Sequence, residues 1–195
     1  MNDLNEKSNL SGTEVYPPLP LAEWQDTNDT LHLWTQIVGK IRLKQTPLMN
    51  EWWNTTLYLS THGLTTSAMP YKSESFAIDF DFINHQLLVR TSFNEGFSIK
   101  LEPMPVADFY KKLFDNLKSN GIEVEIRAIP DELENPIPFA EDTTHNSYDA
   151  EYAHRCWRIL LKVDQVCERQ NSRLFYWNGS SIRSLVLAIE KSLKG

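Results

Sequence analysis

Ser75-Phe-Ala-Ile-Asp-Phe-Asp-Phe82, then Ile83-Asn84-His85, then Gln86-Leu-Leu-Val-Arg-Thr-Ser92: the fold turns on this stretch. Phe76, Ile78, Phe80 and Phe82 alternate with Ala77, Asp79 and Asp81, which is the period of a strand with one buried face. Asn84-His85 is a hairpin turn into a second strand, residues 86–92. Asn94-Glu95-Gly96 makes the next turn, into a strand over 97–101. Upstream, residues 55–62 read as a strand, followed by Gly63 and a short run over 64–67. Downstream, residues 122–128 alternate Ile122, Val124 and Ile126 inward with Glu123, Glu125 and Arg127 outward, and predict a further strand.

Helical periods lie on either side of this meander. Leu31, Trp34, Ile37, Val38 and Ile41 share one stripe of a helix that starts near residues 27–29, with Asp26, Thr27 or Asn28 as caps, and runs to about Leu43. A second helix opens at Met104-Pro105, buries Val106, Phe109, Leu113 and Leu117, and stops at Asn120-Gly121. A third runs from near Tyr148 to about Arg169, with Tyr148, Tyr152, Cys156, Ile159, Val163 and Val166 on one face. The order predicts an α+β domain: an antiparallel sheet of about five strands, with helices packed on one face. The expected organisation is an extended or disordered arm over 1–18, one domain over 19–173, and a tail over 174–195 that reads as a short helix.

Composition narrows the function. Of 195 residues, 41% are hydrophobic, and six Trp, seven Tyr and nine Phe suit a sizeable core. A net charge of −7 opposes non-specific binding to nucleic acid or to an anionic membrane. No apolar run approaches the roughly 20 residues of a membrane span, and the first residues lack the order of a signal peptide. Cys156 and Cys167 lie about three turns apart on one helix, roughly 16 Å, too far for a disulfide. Reduced thiols and a cytoplasmic location follow.

Candidate chemistry concentrates in Pro136-Ile-Pro-Phe-Ala-Glu-Asp-Thr-Thr-His-Asn-Ser-Tyr-Asp149, a proline-braced loop feeding the third helix. Asp142, His145 and Asp149 can act as metal ligands, or Asp142 and His145 as a carboxylate-oriented general base, with His62 joining His145 as a second ligand or base. The competing assignment is capping, with Asn146 or Ser147 at the helix start and Asp149 and Glu151 at its positive end. His62, Trp53, Asn54 and Tyr148 are the expected lining of a pocket between this loop and the sheet, with Asp149 beside them. Asp79, Asp81, Glu123 and Glu125, with Arg90, Lys100 and Arg127, are assigned to the polar sheet face. His32, His85 and His154 read as helix-surface or hairpin positions. No phosphate-cradling loop, nucleophile elbow or zinc-protease helix occurs, so no cofactor or metal is identified.

Several segments together resemble the domain-of-unknown-function family 5996: Trp52-Trp-Asn-Thr-Thr-Leu-Tyr-Leu-Ser-Thr-His-Gly-Leu-Thr-Thr66, Phe76-Ala-Ile-Asp-Phe-Asp-Phe-Ile-Asn-His85, Val106-Ala-Asp-Phe-Tyr110, and Pro136-Ile-Pro-Phe139 with Asp142, His145, Tyr148 and Asp149. The resemblance spans about residues 19–173 and brings no substrate, cofactor or catalytic assignment. Family members resemble a longer protein, so the tail reads as a natural short form or the product of a frameshift or early stop. The leading expectation is a small-molecule binding or scaffold domain. The alternatives are a metal-assisted or His/Asp general-base enzyme, and a degenerate family member that associates through Leu185, Ile189 and Leu193.

Overall fold

The computed structural model describes residues 18–47, 57–131 and 133–169, with side chains described as far as residue 165. Residues 1–17 of the expected arm, Trp53, Asn54 and the tail lie outside the described residues. Among the described residues nine elements follow one another: α1 Leu21–Gln45, β1 Tyr58–Leu59, β2 Gly63–Thr65, β3 Met69–Tyr71, β4 Glu74–Asp81, β5 Gln86–Thr91, β6 Phe97–Lys100, α2 Val106–Ser119 and α3 Ala150–Arg169. The strands form one six-stranded antiparallel sheet in the order β1-β2-β4-β5-β6, with β3 also paired to β4. This is the α+β architecture the alternation at 75–82 implies.

Register decides which side chains share a face. Leu64, Phe80, Leu87 and Ile99 lie in one row across β2, β4, β5 and β6, and all are buried. The neighbouring row, Thr65, Asp79, Leu88 and Ser98, points the other way. The apolar face carries a column of stacked rings. Phe80 meets Phe109 of α2 at 6.5 Å, Phe109 meets Trp34 of α1 at 4.7 Å, and Trp34 meets Tyr148 at 5.7 Å. Each such pair adds about 0.5–1.5 kcal/mol beyond the area its rings bury.

α1 differs from its expected form. It starts at Leu21, with Pro20 at the cap position and no side-chain cap bond. The expected caps lie inside the helix, and Thr27 and Asn28 are buried. α1 has no single apolar stripe: from Leu31 to Gly39 every residue is buried. His32, expected on a helix surface, is among them, and burial lowers its pKa against the opposing pull of Asp29. Its Nε2 lies 2.9 Å from the Gln36 amide nitrogen.

α2 closes as its Asn-Gly end predicts. Gly121 has φ +79°, and the N–H groups of Gly121 and Ile122 return to the carbonyls of Lys118 and Leu117. Beyond it, residues 122–128 alternate in burial as a strand would, yet they join no ladder. Glu123, Glu125 and Arg127 therefore do not belong to the polar sheet face. β3 was missed because Pro70 interrupts it; its three residues lie alongside the first half of β4. Among the described residues, no helix is long and apolar enough to cross a membrane.

Candidate functional site

The polar sheet face holds a cleft of about 450 Å³ lined by Ser60, Thr61, His62, Thr65, Asp79, Asp81, Asn84, Gln86, Leu88 and Arg90. Three features build it. The turn from β1 to β2 is closed by Ser60, whose Oγ accepts the N–H of Gly63 at 3.1 Å and whose own N–H reaches the Gly63 carbonyl. That turn holds His62 at the rim, with its Nδ1 3.0 Å from the Thr61 hydroxyl. The ladder sets Thr65 beside Asp79 and Asp79 beside Leu88. The β4–β5 hairpin brings Asn84 and Gln86 to the far wall.

The charges in the cleft are largely engaged. Arg90 pairs with Asp79. Asp81 Oδ1 accepts the N–H groups of Ile83 and Asn84, both at 2.9 Å, and Oδ2 accepts the Asn84 amide at 2.8 Å. Burial pushes the Asp81 carboxyl up, but the Asn84 and Ile83 bonds and nearby His62 outweigh it and hold the pKa below the ordinary value of 3.8. A carboxyl whose folded pKa is depressed stabilises the fold above its unfolded pKa, and this contribution fades as pH falls through the lower, folded value. Asp81→Asn is therefore expected to unfold at lower urea than the parent at pH 7, with the gap narrowing below pH 3.8. A gap unchanged by acid would count against an ionised Asp81 in the hairpin.

Behind the hairpin, His85 and Tyr148 share a 3.0 Å hydrogen bond. Burial lowers the His85 pKa, as does His154, against Asp81 and Glu151. Tyr148 is pushed well above an ordinary phenol, first by burial and then by Asp149 and Asp81. It is an anchored core group, 6% exposed and stacked on Trp34.

The loop over 142–149 brings Asp142 and His145 together, with Oδ2 2.7 Å from Nδ1. A carboxylate oxygen can only accept, so Nδ1 is the donor of this bond, which fixes the ring in the orientation a general base requires. The rest of the loop is engaged structurally. Asp142 is 1% exposed, and its Oδ1 accepts the N–H groups of Thr144 and His145. The carbonyls of His145 and Asp142 accept the N–H groups of Val106 and Ala107, the first turn of α2. Thr27 Oγ1 accepts the Asp149 N–H and meets the Ser147 hydroxyl, while Thr30 Oγ1 accepts the Ser147 N–H. Asp149 is the cap of α3: its Oδ1 accepts the Tyr152 N–H at 3.1 Å. Asn146 and Ser147, the expected caps, precede it.

The expected pocket residues thus separate. His62 lines the cleft, Tyr148 is in the core, Asp149 caps α3, and no described contact joins His62 to Asp142 or His145. Among the described residues, no three His, Cys, Asp or Glu side chains are grouped to hold a metal ion. Ser60, Thr61, Asn84 and Gln86 were missed. Their signal was the two turns that flank β2 and β4, which place polar residues at one end of the sheet.

A model described as "Family of unknown function (DUF5996)" matches residues 16–181. No curated protein and no solved structure matches the chain.

Proposed function

The chain belongs to the DUF5996 family, and on that premise we propose that its domain binds a small, uncharged polar molecule in the cleft on the polar sheet face. The observation that carries this reading is the convergence of nine polar side chains and Leu88 on about 450 Å³, a volume suited to a small ligand. The lining also favours an uncharged guest. Asp79 is paired with Arg90, and both oxygens of Asp81 are engaged by its own hairpin. Hydrogen-bonding capacity remains on Gln86, on His62 Nε2 and on the Ser60 hydroxyl, all of which suit hydroxyl or amide groups. A cytoplasmic location fits the same reading, supported by the free, buried Cys156, whose thiol burial pushes up to about 12.

The test is native mass spectrometry of gently purified protein, with metal analysis of the same sample. The expected result is a stoichiometric small molecule that is lost from Gln86→Leu and retained by His145→Ala. Loss from His145→Ala with retention by Gln86→Leu would move the site to the loop. A mass of the bare chain in every preparation would leave the cleft a solvated sheet face.

A further inference from the structure

The cleft on the polar sheet face presents donors on one side and acceptors on the other. On the β1–β2 side, Ser60 Oγ accepts the N–H groups of His62 at 3.3 Å and Gly63 at 3.1 Å, which engages both lone pairs and leaves the hydroxyl proton to donate. Thr65 Oγ1 accepts the Ser67 N–H at 2.9 Å and likewise keeps its proton. On the hairpin side, the Asn84 amide nitrogen donates to Asp81 Oδ2 at 2.8 Å. That bond fixes the orientation of the amide and leaves Oδ1 as an acceptor. Between the two sides, Arg90 holds Asp79 by Oδ2, and among the described residues Asp79 Oδ1 has no partner. Gln86, opposite Asp81 in the ladder, adds a side-chain amide that bonds to no described residue.

Resting on the reading of this cleft as a ligand site, we infer that its guest is a polyol: a small molecule with a hydroxyl on most of its carbons, such as a tetritol, a pentose or a cyclitol. Thr65 on β2 and Gln86 on β5 flank β4, so the two walls stand two strand spacings apart, about 9.5 Å. An amide carries its donor and its acceptor on neighbouring atoms of one group, and serves one wall. A hydroxyl donates and accepts through a single oxygen, and a polyol repeats it at successive carbons. One such molecule meets the protons of Ser60 and Thr65, the oxygens of Asn84 and Asp79, and the amide of Gln86. Charge disfavours the other classes. A cation finds Asp79 paired with Arg90 and both oxygens of Asp81 engaged, and an anion faces two carboxylates against one arginine. Leu88, in the row between Asp79 and Ser98, offers the carbon edge of the guest an apolar contact.

Proton–nitrogen correlation NMR of the full chain, titrated with erythritol, D-ribose and myo-inositol and in parallel with acetamide and N-methylacetamide, reads the guest class directly. The expected result is a saturable shift of the amides from Ser60 to Thr65 and from Asn84 to Gln86, with a Kd of about 1 mM or tighter for at least one polyol. Neither amide should saturate. Thr65→Val and Gln86→Leu are each expected to weaken that polyol roughly fivefold to tenfold, while the spectrum of each variant shows that the fold is kept. His145→Ala should bind it as the parent does. An amide bound as tightly as any polyol overturns the polyol and leaves the cleft as a ligand site. A polyol bound with equal strength by Thr65→Val, Gln86→Leu and the parent overturns the assignment to these side chains. Saturation by no polyol overturns the inference, and together with a bare mass for the purified chain it removes the cleft reading as well.

Discussion

Gly63→Ala is expected to remove about 4 kcal/mol or more of folding stability, a large share of the 5–15 kcal/mol typical of a domain. Gly63 lies on β2 opposite Asp81 of β4. A Cβ built there falls 1.8 Å from the Phe80 carbonyl oxygen and 3.1 Å from Phe82 Cδ2. The nearer obstacle is backbone, so no rotamer change relieves it. β2 must withdraw from β4 by more than an ångström, in a region held by the 2.8 Å bond from the Phe82 N–H to the His62 carbonyl. Hydrogen bonds weaken steeply over such a displacement. The melting temperature, followed by circular dichroism, should fall by about 10 °C or more for a chain of this size. A fall of only about 2 °C would mean that β2 is not pinned there. The same change would displace Ser60, Thr61 and His62 from the cleft rim, so any ligand bound by the parent should be lost at temperatures where the variant is still folded.

Asp142→Ala is expected to cost about 3–4 kcal/mol, while His145→Ala costs about 1 kcal/mol. Removing the carboxylate leaves the N–H groups of Thr144 and His145 and the His145 ring without their acceptor, in a place where Asp142 is 1% exposed. The damage spreads because the turn that Asp142 closes also presents the carbonyls that satisfy the first amides of α2. His145→Ala removes a partly exposed ring and keeps the backbone. Asp142→Asn should fall between the two. Its amide oxygen still accepts the backbone N–H groups, and its nitrogen can donate to Nδ1 once the imidazole proton moves to Nε2. Urea denaturation of the three variants checks the order. Equal and small losses for Asp142→Ala and His145→Ala would argue that the pair is kept for chemistry and not for the joint between helices.

What the sequence disclosed follows a physical division. Period-2 alternation from Phe76 to Phe82 and the turn at Asn84-His85 are local, and the hairpin forms where they predict. The Asn120-Gly121 stop of α2 is equally local. The start of α1 was misplaced because capping rules assume a solvated helix end. Thr27 and Asn28 resemble caps, but they are buried polar groups, and Thr27 receives the Asp149 N–H. Residues 122–128 have the composition of a strand, but pairing requires a neighbour that no local pattern reveals. The Asp142–His145 contact was legible, since the two are only three positions apart in the chain. The cleft was not, because only the ladder register places Thr65 beside Asp79 and Asp79 beside Leu88.

The burial of α1 sets an order of events during synthesis. Thr27 meets Ser147, 120 residues downstream, and the bond from Gln36 to Asp131 spans 95. At about 5–20 residues per second, the ribosome takes roughly 6–24 s to deliver Ser147 after Thr27. Throughout that interval Trp24, Trp34 and the polar groups between them have neither the loop over 142–149 nor α3 to lie against. A nascent chain halted before Asp142 carries the sheet and α2, with Trp34 already against Phe109, but the side of α1 that meets the loop and α3 is still uncovered, the kind of surface that chaperones hold. The core around α1 is thus completed from its far end, by α3, the last of the described helices to emerge.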